Sequence, residues 1–79
     1  HGIDLIILDL IMPVMSGEET YERIRQIDPE TPVLLSSGYS RNELAETLLK
    51  KGCAGFLQKP FTINKLSVKI RKILENRKN

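Results

Sequence analysis

Three polar positions stand where short apolar runs stop, and their chemistry belongs together. Asp9 follows Leu5-Ile6-Ile7-Leu8. Ser36, Ser37 and Gly38 follow Pro32-Val33-Leu34-Leu35. Lys59 and Pro60 follow Ala54-Gly55-Phe56-Leu57-Gln58. A carboxylate can attack phosphorus or hold a metal, while a hydroxyl and an ammonium bind oxygens on which charge develops. The set suits the handling of a phosphoryl group. Gly38, small and just past the hydroxyl, leaves room for a tetrahedral anion. Taken singly, Asp9 reads as a turn-former, Ser37 as a loop cap and Lys59 as a surface cation. Their recurrence at three successive run ends favours the joint reading. A cis Lys59–Pro60 peptide, rare in general, would aim the lysine inward.

The elements that must position these groups alternate regularly. Residues 4–10 form a near-continuous, β-branched apolar run, too short for a good helix. The run reads as a strand buried on both faces, the mark of a parallel sheet. Ser16-Gly17-Glu18-Glu19 fits a capping box opening a helix with Tyr21, Ile24 and Ile27 inward, stopped by Pro29. A second strand spans residues 32–36. Ser40-Arg41-Asn42-Glu43 fits a second capping box, before a helix with Leu44, Leu48 and Leu49 inward and Gly52 as its C-cap. A third strand spans residues 54–58. Thr62 caps a last helix with Ile63, Leu66, Ile70, Ile73 and Leu74 as its apolar stripe. Three strand–helix units with short connections predict an α/β fold, a three-stranded parallel sheet with right-handed crossovers. In such a sheet, ligands bind beyond the carboxyl ends of the strands, where Asp9, Ser37 and Lys59 stand.

Composition bounds the function classes. A 79-residue chain, 41% hydrophobic and 28% charged, is one small domain with a thin stability margin. No apolar run approaches the roughly 20 residues that cross a bilayer, and no signal peptide opens the sequence, so a cytoplasmic location and no membrane contact are expected. One Cys and one His argue against a disulfide framework and a zinc site. Cys53 reads as a small core residue rather than a nucleophile. Ser36-Ser37-Gly38 lacks the elbow and base of a hydrolase. Charge is uneven. Residues 1–30 carry seven carboxylates against two arginines, a balance of −5, and residues 63–79 carry six cations against Glu75, a balance of +5. The basic end reads as a solvated helix face with cations at its C-terminus, and direct nucleic-acid binding is not expected.

Three segments carry a resemblance to a known family: Leu8-Asp9-Leu10-Ile11-Met12-Pro13-Val14-Met15-Ser16-Gly17, Pro32-Val33-Leu34-Leu35-Ser36-Ser37-Gly38-Tyr39 and Gly52-Cys53-Ala54-Gly55-Phe56-Leu57-Gln58-Lys59-Pro60-Phe61. In this order they resemble the receiver domain of two-component response regulators, in a style similar to receivers of hybrid sensor histidine kinases. The resemblance covers essentially the whole chain. It implies a doubly wound, flavodoxin-like fold of which residues 1–79 are a partial receiver, the last three strand–helix units.

The resemblance also implies roles. Asp9 matches the phosphoacceptor, which takes a phosphoryl group from the phosphohistidine of a histidine kinase or phosphotransfer domain. Ser37, rather than Ser36, matches the hydroxyl that binds a phosphoryl oxygen, and Lys59 the lysine that pairs with the phosphoryl group. Phe56 matches an aromatic switch position, with ordinary strand packing as the alternative. Ile11 stands where a backbone carbonyl ligates the metal, and the Ile11 and Tyr39 side chains hold positions that tune the lifetime of the phosphoryl group. The family binds Mg²⁺ with an acidic pair after its first strand, plus the phosphoacceptor. This chain begins at the family's third strand, so the pair is absent from it. Asp4 cannot substitute, lying about 16 Å from Asp9 at the other end of the strand. One carboxylate and one carbonyl make a poor Mg²⁺ site, so phosphotransfer by this chain alone is expected to be weak or absent.

Two function classes follow. One is a phosphoacceptor signalling domain, not a stand-alone enzyme, whose parent could be a hybrid histidine kinase. The other is a receiver-derived interaction or dimerisation module without phosphotransfer. The first strand is unusually apolar for a sheet edge, so self-association through it is expected.

Overall fold

In the computed structural model, residues 3–10, 16–38 and 42–77 are described. They form β1 (Ile6–Asp9), α1 (Gly17–Ile27), β2 (Val33–Ser37), α2 (Glu43–Lys51), β3 (Gly55–Gln58) and α3 (Ile63–Arg77). The strands lie in the order β1-β2-β3, both pairs parallel, with Leu8 opposite Leu35 and Leu35 opposite Phe56. The βαβ arrangement expected from the alternation is present.

The two faces of the sheet bury different side chains, because successive strand residues point to opposite sides. On one face Leu8, Val33 and Leu35 pack with Tyr21 of α1, Ala45 and Leu48 of α2, and Cys53. On the other, Leu34 and Leu57 pack with Ile73 of α3. All five residues of β2, the central strand, are buried. At the end of the sheet burial is less complete. Ile7 of β1 remains 49% exposed, which corrects the expectation of a strand buried on both faces. Its face is that of α3, whose Ile73 packs on Leu34 and Leu57 of the other two strands, with the half-buried Leu5, just before β1, at the edge of that cluster.

The helix ends follow capping chemistry, with one revision. Ser16 Oγ accepts from the Glu19 N–H at 3.0 Å, as the first capping box requires. At α2 the cap is Asn42 rather than Ser40: Asn42 Oδ1 accepts from the Ala45 N–H at 3.0 Å. Ser40 lies outside the described residues. Gly52 ends α2 at φ 124°, a left-handed conformation that favours glycine. Thr62 Oγ1 accepts from the Lys65 N–H at 3.1 Å and opens α3. Two expected core residues are on the surface. Ile27 is 86% exposed at the last turn of α1, and Ile63 is 81% exposed at the first turn of α3. Both have helical spacing, but each is the terminal residue of its helix.

Candidate functional site

The three parallel strands deliver their last residues to one end of the sheet. Asp9 ends β1, Ser37 ends β2, and Lys59 follows β3 by one residue. The backbone pins these tips together: Leu10 N–H donates to Ser36 C=O at 2.9 Å, and Lys59 N–H to Ser37 C=O at 2.7 Å. Lys59 is thereby fixed next to the end of β2, and its side chain crosses over β2 to β1. Lys59 Nζ donates to Asp9 Oδ2 at 2.6 Å, joining residues 50 positions apart.

This ion pair is half exposed, with side chains 44% (Lys59) and 45% (Asp9) accessible. An accessible pair adds little to stability, since water competes for both charges. The same accessibility lets a solute anion approach both groups. Ser37 is buried, 2% exposed, beside them. Gly38 is exposed, and a Cβ placed there would meet nothing within 4 Å, so the space above the tip of β2 is open. The Lys59–Pro60 peptide is cis. Phe56 is half-buried and packs against the cluster around Leu35. Ile11 and Tyr39 lie outside the described residues.

The donor set can be compared with what Mg²⁺ requires. Mg²⁺ takes near-octahedral oxygen ligation. Among the described residues no group of three or more His, Cys, Asp or Glu could hold a metal ion. Asp9 contributes one carboxylate, already shared with Lys59. The described residues alone therefore do not fit a Mg²⁺ site.

The other end of the sheet is built differently. A groove of about 1010 Å³ is lined there by Tyr21, Arg25, Pro32, Lys51, Ala54 and Ile73, among others. Its polar groups serve the fold. Arg25 stacks on the Tyr21 ring at 5.1 Å and donates to Asp28 and Thr31 carbonyls at 3.0 and 2.8 Å. Lys51 Nζ pairs with Glu22 at 2.6 Å and Glu18 at 2.9 Å, which together hold its pKa above the usual lysine range. Cys53 is buried, and burial pushes its thiol up to about 11, so it is not a thiolate near neutrality. The bonds that Lys51 makes to α1 join positions about 30 apart and carry no short-range sequence signal, whereas Arg25 meets Tyr21 four positions away on the same helix.

The geometry agrees with comparisons to known proteins. The model of the response regulator receiver domain matches residues 1–71. The autoinducer 1 sensor kinase/phosphatase LuxN of Vibrio campbellii is 39% identical over 66 residues, covering 84% of this chain and 8% of LuxN. The sensor kinase CckA of Brucella abortus is 30% identical over 73 residues, covering 92% of this chain and 8% of CckA. This chain thus spans a small part of these relatives. A receiver domain protein from Clostridium thermocellum superposes with TM-score 0.83 at 32% identity, covering 96% of this chain and 60% of that one. A CheY-like receiver domain protein from Methanospirillum hungatei gives TM-score 0.84 at 25% identity, covering 95% and 60%. Sequence and fold together place the chain in the family of response regulator receiver domains of two-component systems.

Proposed function

We propose that Asp9 is the phosphoacceptor of this receiver domain and takes its phosphoryl group from a phosphohistidine on a histidine kinase or phosphotransfer domain. The observation that carries the reading is the Lys59 Nζ–Asp9 Oδ2 contact of 2.6 Å at the carboxyl ends of the parallel strands. An Asp9 oxygen attacks phosphorus, the P–N bond breaks, and the imidazole keeps its electron pair. Lys59 moves with the growing negative charge from the carboxylate to a phosphoryl oxygen. Ser37 donates to another phosphoryl oxygen, and Gly38 keeps the approach open. As the Ser37 hydroxyl moves toward the phosphoryl oxygen, Phe56 exchanges its packing against the Leu35 cluster for a more buried position. Mg²⁺, when bound, would neutralise the phosphoryl oxygens. In this reading its ligands are Asp9, the Ile11 carbonyl and acids from outside these 79 residues.

The test is acetyl phosphate with Mg²⁺, read by intact mass. Wild type should gain one phosphoryl group, slowly and in low yield, and Asp9→Asn none. A phosphoryl adduct that survives Asp9→Asn would overturn the assignment. A folded chain that is never modified, even by a phosphohistidine donor, would favour an interaction module. The exposed Ile3 (53%) and Ile7 (49%) are the features that suit such a module.

A further inference from the structure

Among the described residues, one buried side-chain polar atom has no hydrogen-bond partner: the hydroxyl of Ser36. Buried hydroxyls are nearly always partnered, and an orphan calls for a physical reason. Ser36 is 2% exposed and lies on the central strand. Its register partner on β1 is Asp9, and on β3 Leu57.

Register partners in a parallel pair point to the same face of the sheet. The clusters obey this alternation: Leu8, Leu35 and Phe56, in register, meet on the face of α1 and α2. One residue further on, Asp9, Ser36 and Leu57 belong to the opposite face, where Leu57 packs with Ile73. Ser36 therefore stands beside Asp9, at the strand spacing of roughly 5 Å, and on the same side. Ser37, one residue further on, ends β2 and alternates to the other face. Leu57 is apolar, so of the two side chains flanking Ser36 in the ladder only Asp9 can accept a hydrogen bond. Asp9 Oδ2 accepts from Lys59, and a carboxylate has capacity for several donors.

We propose that Ser36 is a positioning residue for the phosphoacceptor, its buried hydroxyl turning about the Cα–Cβ bond to donate to the Asp9 carboxylate. The turn is a change between staggered rotamers, within reach of a short side chain. When Lys59 leaves the carboxylate for a phosphoryl oxygen, Ser36 keeps the non-bonded Asp9 oxygen oriented. The inference rests on Asp9 being the acceptor and assigns a neighbour that acts through it. It gives a partner to a hydroxyl that otherwise occupies a fully buried strand position without one.

The experiment is ¹³C NMR of the Asp9 carboxyl carbon at neutral pH in the 79-residue chain, with Ser36→Ala, Ser36→Thr and Lys59→Met. Ser36→Ala should displace the Asp9 carboxyl resonance, and Ser36→Thr, which keeps the hydroxyl, should restore it. Ser36→Ala should also slow acyl-phosphate formation by roughly tenfold, as expected for a lost hydrogen bond to a charged group. Ser36→Cys, a weak donor of similar size, makes the same comparison if the alanine variant folds poorly. An unmoved resonance in Ser36→Ala or Ser36→Cys, with Tm raised by removal of the orphan, would overturn the proposal. Lys59→Met separates the two levels. If it moves the Asp9 resonance while the Ser36 variants do not, the site stands and the Ser36 role falls. If it leaves Asp9 unmoved, the site itself is wrong.

Discussion

Asp9 and Lys59 form an accessible ion pair, and in the proposed reading its value is chemical rather than structural. Each side chain is nearly half exposed, so the contact is worth at most about 1 kcal/mol to folding. We expect Lys59→Ala to unfold at nearly the wild-type denaturant midpoint. Its affinity for a phosphoryl mimic should fall by roughly 1.5–3 kcal/mol, the worth of a charge-assisted hydrogen bond. Unfolding of the variant with anion binding unchanged in the folded fraction would make Lys59 a structural residue. Cys53 is the opposite case. With its thiol pushed up to about 11 by burial, iodoacetamide at neutral pH should label it at the rate of global opening. Fast labelling under native conditions would show that β3 and its approach open locally.

The α1–β2 connection is held by side chains as much as by backbone. Asp28 accepts from Glu30 N–H at 3.1 Å, from Thr31 N–H at 3.0 Å, and from the Thr31 hydroxyl. The Thr31 hydroxyl first, then the two N–H groups and the Arg25 charge, hold the Asp28 carboxyl below the usual carboxylate range. A lowered native pKa means that the unfolded chain takes up the proton first. The stability from Asp28 is therefore full above the ordinary carboxylate range and is lost as pH falls through the lowered native value. Thr31→Val removes the largest cause of that shift. Urea titrations on the acid side should show a shallower loss of stability with falling pH in Thr31→Val than in wild type. Parallel pH dependences would mean that Asp28 is not bonded in solution as it is here.

β1 lies at one end of the described sheet, with Ile7 49% exposed and Ile3 53% exposed beside it. An apolar strand at a sheet end, with uncovered apolar area, favours association, and a domain of this size has little stability to spare. We expect the purified 79-residue chain to self-associate through this strand, most simply as a two-fold pairing of first strands. Sedimentation velocity across a concentration series decides it. A folded, monodisperse monomer at high concentration would show that α3 closes the core alone. Among the described residues no helix is long and apolar enough to cross a membrane.

Local chemistry was legible in the residues themselves. The strands announced themselves as apolar runs, Ser16 and Thr62 as caps, Gly52 as a left-handed stop, and Asp9, Ser37 and Lys59 as polar groups at run ends. All of these depend on neighbours within about four positions, a range over which backbone geometry follows from residue type. Burial was less legible, because periodicity says which way a side chain points and not whether anything stands there. Ile27, Ile63 and Ile7 have apolar spacing and yet face solvent, since the opposing elements end or pass elsewhere. Asn42 rather than Ser40 caps α2 because the helix begins at Glu43, a boundary that the two overlapping cap signals left open. The contact between Lys59 and Asp9, and the orphan hydroxyl of Ser36 in register with Asp9, belong to the tertiary structure alone. Each depends on strand order and register, which bring together residues far apart in the chain and which no local spacing encodes.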